Sequence, residues 1–460
     1  MLNGKNKLAY ALFFVFAVIF ILIVLKGLIT PQPGDENAYY YMGKLVSEGK
    51  IPYRDFFLAH PPLHVYLTAL IYKVFGFNII VLKAVPLIST LISAFFIFKI
   101  SNDKFGNSEA ITSSLLFLFS YSTMFNSVFS FGIDAATMFL VIGIYFLWNK
   151  NSGILAGLFF GLAGITRLLS LIPIFIIFAL VLLSTRKNFL KLSSGFFIIF
   201  LLINGIFILF LGNSYTEQVY KYHLLKSPDS KENFKEYLDI IKLNWILFSS
   251  ALLFIFIKDK KPISMFMIIS VIYLIFLTLL KKIFGFYFII IFPFLAIIGG
   301  YSIIRFFSQF GLIKKWKILI LIFLLLIFVW DLAANVSFLE KIGFTGFERG
   351  KDLTDFVNSV PNKDTLLFGD ASAVPLLALL ANKKIALDFA DTNNQVFISG
   401  MRNLNDTLAA LKGRDTLFII RSIEGISYFN EVREFLSKNC EFVSQFHDKI
   451  EGSYLVYRCS

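Results

Sequence analysis

The sequence predicts a polytopic α-helical membrane protein that carries a small α/β domain after its last membrane span. Hydrophobic residues make up 57% of the 460 residues and charged residues only 16%, whereas soluble domains average about 45–50% and about 25%. Apolar runs of about 20 residues, the length that crosses a hydrocarbon core of about 30 Å, recur throughout residues 1–338. Residues 339–460 are instead rich in charge. We therefore predict a transmembrane domain at 1–338 and an α/β domain at 339–460.

Eleven apolar runs are predicted to span the membrane: 8–29, 79–100, 109–128, 133–148, 152–167, 168–184, 190–211, 242–257, 263–280, 286–305 and 317–338. The shorter run at 61–75 is either a twelfth span or a helix that lies in the membrane interface. Cytoplasmic loops collect Lys and Arg. With a cytoplasmic N-terminus and an interfacial 61–75, 15 basic and three acidic residues face the cytoplasm, which favours this alternative. The loops 30–78 and 212–241 and everything after 338 then face outward.

Charge and motifs argue against several classes of function. The cytoplasmic loops account for nearly all of the net charge of +13, so the charge indicates topology rather than nucleic-acid binding. The sequence has no GxxxxGKS/T, GxGxxG, GxSxG or HExxH motif, which leaves nucleotide hydrolysis, dinucleotide chemistry and zinc proteolysis without support. The two cysteines have no metal-binding spacing, and we predict no metal site.

The C-terminal region alternates strand and helix patterns, which predicts an α/β domain with a parallel sheet. The predicted strands are 365–368, 385–389 and 416–420, the predicted helices are 372–381, 401–412 and 428–438, and a hairpin joins 441–447 to 453–458. In this hairpin Cys440 falls almost opposite Cys459. A disulfide formed in an oxidising exterior and a pair of free thiols both remain open.

Two carboxylates follow the first span on a turn rich in Pro and Gly, Pro31-Gln-Pro-Gly-Asp-Glu. Asp35, with Glu36 beside it, is a candidate general base at the membrane–water boundary, where partial desolvation raises the basicity of a carboxylate. Alternatively, Asp35 only caps the helix that is predicted to follow it.

The same outer loop contains two residues that could bind a phosphate, Arg54 and His60. Each has a structural alternative. Arg54 could pair only with Asp55, and His60 could only cap a turn before the two prolines that follow it.

Further charged residues lie at the predicted outer ends of later spans, where burial in the membrane costs about 2.5–3.5 kcal/mol. Asp134 either caps the fourth predicted span or belongs to the site. Arg167 lies between two spans and requires an anionic partner, either a phosphate or a carboxylate such as Asp134 or Asp35. Three more candidates break the positive-inside pattern and either snorkel or bind an anionic lipid headgroup: Lys281, Lys282 and Tyr287.

Four stretches carry a resemblance to a known family, and their order along residues 8–305 adds to its specificity. They are Gly34-Asp-Glu36 with Tyr39–Tyr41, Gly49–Phe56 with His60-Pro-Pro-Leu63 and Val74–Gly76, Ala156–Arg167, and Phe286–Pro293. Together they resemble the GT-C superfamily of integral-membrane glycosyltransferases, and most closely the subgroup of protein O-mannosyltransferases and lipid A aminoarabinose transferases. The α/β region resembles the outer domain that many of these enzymes carry.

The resemblance implies an inverting transfer of a sugar from a polyprenyl phosphate, rather than from a nucleotide, to an acceptor hydroxyl. It implies the following roles: Asp35 as the base with Glu36 in the same motif, His60 near the phosphate where aminoarabinose transferases have a Lys, Asp134 as a second outer acid, and Lys282 and Tyr287 beside the lipid phosphate. No DxD motif stands here, so no cofactor is expected. A divalent cation on Asp35 and Glu36, as in oligosaccharyltransferase relatives, remains open.

The expected partners are a polyprenyl-phosphate-linked sugar, membrane lipids and an acceptor that is a protein, a lipid or a glycan, with no nucleic acid. The expected location is the plasma membrane, with the site and the α/β domain outside the cytoplasm. A flippase or another transporter of lipid-linked sugars is the main alternative function, although the repeated halves typical of transporters are not found in the sequence. An inactive scaffold for the outer domain is a third possibility.

Overall fold

The protein is mostly helical. The computed structural model describes residues 4–228, 230–309, 314–362, 364–422, 425–448 and 452–460. Its α-helices are α1 (Gly4–Ile29), α2 (Glu36–Ser47), α3 (Leu63–Phe75), α4 (Ile79–Lys104), α5 (Asn107–Leu118), α6 (Tyr121–Asn126), α7 (Ile133–Ile144), α8 (Gly153–Thr166), α9 (Leu171–Ser184), α10 (Arg186–Leu211), α11 (Asn213–Thr216), α12 (Tyr222–Leu225), α13 (Ser230–Leu243), α14 (Trp245–Leu252), α15 (Ser264–Thr278), α16 (Phe292–Gln309), α17 (Lys314–Phe338), α18 (Gly350–Ser359), α19 (Val374–Leu380), α20 (Asn394–Ile398), α21 (Leu404–Leu411) and α22 (Asn430–Asn439).

Six helical stretches among the described residues are long and apolar enough to cross a membrane: Asn6–Ile29, Ile79–Lys104, Arg186–Leu211, Lys261–Thr278, Gly285–Gln309 and Ile318–Gly343. A seventh would be the pair Glu232–Leu243 and Trp245–Phe256, which is bent by 80°. These helices indicate an integral membrane protein.

The predicted number of eleven spans stays a prediction, although each predicted run is largely helical. The run at 109–128 is interrupted between α5 and α6, and four other apolar helices have only 10–17 residues: Leu63–Phe75, Ile133–Asn149, Gly153–Thr166 and Leu168–Ser184. A helix rises only about 1.5 Å per residue, so helices of this length are shorter than a hydrocarbon core of about 30 Å.

The chain forms two compact units, each assembled from separate segments. The helical unit comprises Met1–Leu28, Lys83–Gly205 and Pro228–Gly343, and the sheet unit comprises Ile29–Leu82, Ile206–Ser227 and Phe344–Ser460. The sheet unit therefore combines the predicted outer loop after α1 with the C-terminal region.

Small residues allow close helix packing inside the helical unit. A Cβ at Gly157 of α8 would overlap the carbonyl oxygen of Leu192 in α10, and a Cβ at Gly195 of α10 would overlap the carbonyl oxygen of Ile154 in α8. Glycine at both positions lets the two backbones approach, as is common between membrane helices.

A four-stranded mixed sheet forms the core of the sheet unit. Its strands β1 (Leu366–Gly369), β2 (Thr416–Arg421), β3 (Cys440–Asp448) and β4 (Gly452–Cys459) have the order β1-β2-β4-β3. β1 and β2 are parallel, whereas β4 is antiparallel to both β2 and β3. The predicted strands at 365–368 and 416–420 and the predicted hairpin are confirmed. The hairpin residues 449–451 lie outside the described residues.

The predicted strand at 385–389 is wrong, and the sheet is not purely parallel. Ile385 forms a single bridge with Leu367, after which Ala386–Asp388 is a 3₁₀ turn. Leu387 and Asp388 have positive φ angles of 60° and 51°, which take the chain out of the extended conformation.

Cys440 and Cys459 form a disulfide across the β3–β4 ladder, where they are paired neighbours. Of the two alternatives that the sequence left open, the structure has the disulfide, whereas the oxidising exterior stays a prediction. The cross-link joins the first residue of β3 to the last residue of β4 and fixes the register of the hairpin.

The outer loop packs directly on the C-terminal sheet within this unit. Phe57 and Tyr222 lie in the same buried cluster as Phe368 of β1 and Phe418 of β2. The Tyr41 hydroxyl of α2 accepts a hydrogen bond of 2.8 Å from the backbone N–H of Ile385. The loop that carries the predicted base therefore folds against the sheet.

Candidate active site

Asp35 lies on a turn that is closed by a buried asparagine. The Asn37 side-chain amide donates to the carbonyl oxygens of Gln32, at 2.8 Å, and Gly34, at 3.0 Å. Asp35 precedes the first residue of α2, but its own backbone is helical and its side chain makes no capping hydrogen bond. The structure therefore does not support the alternative that Asp35 serves as a helix cap.

Glu36, the second predicted carboxylate, is fully buried. Its carboxylate packs so closely against Gly34 that a Cβ at position 34 would overlap it. A side chain at position 34 would therefore require the Glu36 carboxylate to move. Glu36 packs beneath the turn that carries Asp35, and its catalytic role stays a prediction.

A third carboxylate, Asp391, interacts electrostatically with Asp35. Asp391 follows the 3₁₀ turn at Ala386–Asp388 and accepts a hydrogen bond of 3.3 Å from the backbone N–H of Asn393. Burial raises the pKa of Asp391 to about 6, and the nearby Asp35 charge adds to the increase, while the Asn393 N–H and Lys226 oppose it. A carboxyl group whose pKa is raised by burial and by a second carboxylate is typical of an acid–base site.

His60 lies in a group of stacked rings rather than only capping a turn. Its ring stacks on that of His223, with centroids 5.1 Å apart, and lies 6.0 Å from the ring of Tyr39. His223 Nε2 is 2.7 Å from the carbonyl oxygen of Ala59. Tyr39 is one helical turn after Asp35 and His223 is three residues before Lys226, so the rings and the carboxylates belong to the same short segments.

Arg54 makes a two-pronged ion pair with Asp55, with N–O distances of 2.9 and 3.1 Å. This is the structural alternative predicted for it, and the interaction with Arg54 lowers the pKa of Asp55. Arg54 also lines a cavity of about 220 Å³, as does Arg402. Neither Asp35 nor Asp391 lines this cavity, so the structure does not bring Arg54 together with them there.

The helical unit contains a buried polar pair, Asp134 and Arg167. Gly132, not Asp134, occupies the position before α7, so Asp134 is not the helix cap. Both side chains are buried, and they interact electrostatically, while the Thr90 hydroxyl donates to Asp134 Oδ1 at 3.4 Å. Arg167 lies at the break after α8. The structure thus supplies the acidic partner that the sequence led us to expect for Arg167.

The remaining candidates, from 281 to 287, lie in the segment before α16. Lys282 Nζ is 3.0 Å from Glu232 Oε2, so this cation is already paired. The Lys281 carbonyl oxygen accepts a hydrogen bond of 3.0 Å from the Asn233 side chain, and the residue as a whole is exposed. Tyr287 is buried among aromatic rings, and its carbonyl oxygen accepts a hydrogen bond from the Tyr273 hydroxyl. A contact of these residues with a lipid phosphate stays a prediction.

Known proteins of similar sequence or structure identify the fold. A family model described as dolichyl-phosphate-mannose-protein mannosyltransferase matches residues 59–214. The crystal structure of ArnT from Cupriavidus metallidurans bound to undecaprenyl phosphate has a TM-score of 0.67 at 13% identity, over 99% of this chain and 98% of that chain. The chain has the GT-C fold.

Two further structures share the GT-C fold at lower similarity. The archaeal oligosaccharyltransferase AglB from Archaeoglobus fulgidus, in complex with an inhibitory peptide and a dolichol-phosphate, has a TM-score of 0.55 at 10% identity, over 98% of this chain and 74% of that chain. The mycobacterial arabinofuranosyltransferase AftD has a TM-score of 0.54 at 11% identity, over 100% of this chain and 42% of that chain. No curated protein sequence matches the chain significantly. The predicted resemblance to the GT-C superfamily is confirmed at the level of the fold.

Two residues of the candidate site, Asp391 and His223, were missed in the sequence analysis. Asp391 follows the run predicted as a strand, and polar residues at the carboxyl ends of strands commonly face ligands in α/β domains. That signal was available in the polar segment Asp391–Gln395. His223 lies in the predicted outer loop 212–241 without a motif around it, so only its contacts reveal its position.

No metal-binding geometry is found among the described residues of this GT-C chain. No group of three or more His, Cys, Asp or Glu side chains in that part of the chain is arranged to hold a metal ion. The expectation that catalysis needs no metal cofactor stays a prediction.

Proposed function

We propose that the protein is an inverting glycosyltransferase that moves a sugar from a polyprenyl phosphate to an acceptor hydroxyl at the outer face of the membrane. The observation that carries the proposal is Asp35, a carboxylate held on a closed turn after the first apolar helix of a GT-C fold and not used as a helix cap. Donor class is supported by the undecaprenyl phosphate in ArnT, the dolichol-phosphate in AglB and the family model named for dolichyl-phosphate-mannose.

In the proposed reaction, Asp35 accepts the proton of the acceptor hydroxyl as its oxygen bonds to the anomeric carbon. The bond between that carbon and the phosphate oxygen breaks on the opposite face, so the configuration inverts. The electron pair of that bond leaves with the polyprenyl phosphate, and Asp35 later releases the proton to water. The role requires ionised Asp35, since a protonated carboxyl group cannot accept the proton.

Negative charge grows on the departing phosphate, and fixed cations stabilise it most strongly where water is excluded. We propose that Arg54 and His60 of the sheet unit contact the donor phosphate. For Lys281, Lys282 and Tyr287 of the helical unit, a contact with a lipid phosphate is proposed from the sequence alone. The ion pairs of Lys282 and Arg54 with Glu232 and Asp55 are partly exposed, and such pairs contribute little stability. A phosphate can therefore replace the carboxylates at small cost. Asp134 and Arg167 compensate each other and hold their helices in place.

The proposal places the sheet unit and the reaction outside the cytoplasm, at the plasma membrane. The disulfide supports an oxidising environment for the sheet unit. The acceptor is a protein, a lipid or a glycan with a free hydroxyl, and no metal cofactor is included in the mechanism.

Transfer from a labelled donor tests the proposal. Purified protein in lipid nanodiscs receives undecaprenyl-phosphate mannose with tritium in the sugar, and membranes from host cells that lack the gene supply the acceptor. We expect the label to move to acceptor and free undecaprenyl phosphate to appear, and Asp35→Asn to lower kcat about 10²–10⁴-fold, the usual contribution of a general base.

The matched control is Glu48→Gln, because Glu48 is an exposed carboxylate at the other end of α2. This variant should transfer at the wild-type rate. Full activity of Asp35→Asn would contradict the assignment of the base. Movement of intact labelled donor across liposomes without transfer would favour the flippase instead.

A further inference from the structure

The turn that carries Asp35 is hydrogen-bonded to the C-terminal part of the sheet unit. The backbone N–H of Gly34, immediately before Asp35, donates to the carbonyl oxygen of Ser372 at 3.2 Å. Ser372 lies between the end of β1 and the start of α19. A residue more than 300 positions away therefore fixes the backbone next to the proposed base.

Ser372 is itself held by a buried carboxylate, Asp370. Asp370 Oδ1 accepts hydrogen bonds of 3.0 Å from the backbone N–H groups of both Ser372 and Ala373. Its other oxygen, Oδ2, is 2.8 Å from Arg421 Nε, and Arg421 also donates to the Ser372 hydroxyl at 3.4 Å. Asp370 is only 1% exposed. The carboxylate thus connects three groups and leaves the loop little freedom.

The position of this pair follows from the parallel strands. Asp370 comes directly after β1, and Arg421 is the last residue of the neighbouring parallel strand β2. Both residues therefore lie at the carboxyl end of these two strands. The loop that contains Asp391 is bonded to the same end of β1, because the Thr392 hydroxyl donates a hydrogen bond to the carbonyl oxygen of Gly369, the last residue of that strand. The segments that carry Asp35 and Asp391 are therefore both hydrogen-bonded to the carboxyl end of β1 or to the loop that follows it.

A second ion pair, at the opposite end of the same strands, shows what a purely structural role looks like. Asp415 binds Arg458 at 3.1 Å and accepts hydrogen bonds of 2.7 Å from Asn362 and Thr365. These partners all lie in the C-terminal region, and they tie together the starts of β1 and β2. Asp370 differs because Ser372, which it holds, is bonded to the Asp35 turn.

We propose that Asp370, with Arg421 as its counter-ion, is a positioning residue that sets Asp35 in place for proton transfer. The inference rests on the proposed function of Asp35. It adds that the C-terminal region takes part in catalysis by fixing the base, and that Asp370 acts through Ser372 and Gly34 without touching the substrates. Misplacement of a reacting group by about 1 Å can lower a rate by about 100-fold.

The test compares Asp370→Ala with Asp415→Ala in the full-length protein. The first readout is amide hydrogen exchange in the peptide that covers residues 32–37, followed by mass spectrometry. We expect this exchange to become about fivefold faster in Asp370→Ala, because the hydrogen bond from Gly34 to Ser372 loosens, and to stay unchanged in Asp415→Ala. The more conservative Asp370→Asn keeps an oxygen acceptor for Ser372 and should lie between Asp370→Ala and wild type, which also covers the case that the alanine variant folds poorly.

The second readout is transfer from labelled undecaprenyl-phosphate mannose to acceptor membranes. We expect kcat of Asp370→Asn to fall roughly 10-fold while the donor KM stays within about twofold, since the base is displaced and the donor contacts are kept. Asp415→Ala should keep its kcat. Equal effects of both substitutions, unchanged exchange at 32–37, or a normal kcat despite faster exchange would each overturn the positioning role.

The two proposals fail in different ways. If Asp35→Asn abolishes transfer but Asp370→Asn keeps full kcat, only the positioning role is wrong. If Asp35→Asn keeps full transfer, the proposed base is wrong, and the positioning role falls with it.

Discussion

The two units arrange their paired charges in opposite ways. In the helical unit, Asp134 and Arg167 have opposite charges and lie at the start of one helix and the end of another. In the sheet unit, Asp35 and Asp391 have like charges and lie on turns, and burial together with Asp35 raises the pKa of Asp391. Opposite charges on helices stabilise a fixed arrangement, whereas like charges on turns produce the perturbed protonation that acid–base chemistry uses. The comparison suggests a supporting role for the first pair and a reactive role for the second.

The largest expected effect concerns the pair in the helical unit. Arg167→Met leaves Asp134 buried without its counter-ion and should cost about 3–5 kcal/mol of stability. The double variant Asp134→Asn with Arg167→Met should recover most of this loss, because no isolated charge remains. Thermal unfolding in detergent measures both. If the double variant is as unstable as Arg167→Met, the two residues are not a compensating pair.

The disulfide should matter only for the sheet unit. Replacement of both Cys440 and Cys459 by Ser releases a loop of about 19 residues and should cost about 3 kcal/mol. Hydrogen exchange should increase in β3 and β4 and remain unchanged in α7 and α8. Faster exchange in both regions would show that the units do not respond independently.

A smaller effect, of a distinctive sign, is expected for Asp391. Its pKa of about 6 in the folded protein lies above the usual 3.8, so the folded state holds the proton more tightly and stability falls as pH rises from about 4 to about 6. Asp391→Asn removes this cost and should stabilise the protein at pH 7 by about 2 kcal/mol relative to its effect at pH 4.

Asp415 provides the control for this pH dependence, because hydrogen bonds from Thr365 and the ion pair with Arg458 lower its pKa overall, despite some burial. The ionised Asp415 stabilises the folded protein at pH values above its usual pKa, and this stabilisation is lost as the pH falls. Asp415→Asn should therefore destabilise the protein at pH 7. Thermal unfolding of both variants between pH 4 and 7 measures the two signs. A destabilised Asp391→Asn at pH 7 would contradict the electrostatic description of the site.

The smallest effect is expected at Lys282. Removing its exposed partner, Glu232→Gln, should change stability by less than about 1 kcal/mol and leave the donor KM equal or lower, because the cation is released for the phosphate. Lys282→Gln should raise the donor KM several-fold with little change in kcat. Transfer assays at varied donor concentration separate the two, and equal KM values for both variants would argue against a donor contact.

The helices and most of the sheet were predictable because their signals are local. Apolar runs long enough to cross the membrane predict spanning helices, and short runs of alternating or continuous apolar residues predict strands such as β1 and β2. The prediction of a strand at 385–389 was wrong because the turn in this segment depends on contacts from outside it. Asp388 forms an ion pair with Lys50, and the Tyr41 hydroxyl accepts a hydrogen bond from the N–H of Ile385. Such contacts leave no pattern in the segment itself.

The candidate site was predictable only in part, for the same reason. Asp35 and Glu36 stand in a local motif beside Pro and Gly, so the sequence points to them. Asp391 and Asp370 come from segments distant from Asp35, and only the fold connects them with its turn. His223 likewise reaches His60 only through the fold.

The strand order has a consequence for synthesis of the protein. β4 lies between β2 and β3, although it is the last of the four strands to leave the ribosome. The sheet therefore cannot close until residues 452–459 have been made, long after the segment that contains Asp35. During that interval the segment that contains Asp35 lacks the completed sheet, and a pause in synthesis before β4 would leave the sheet unit incomplete.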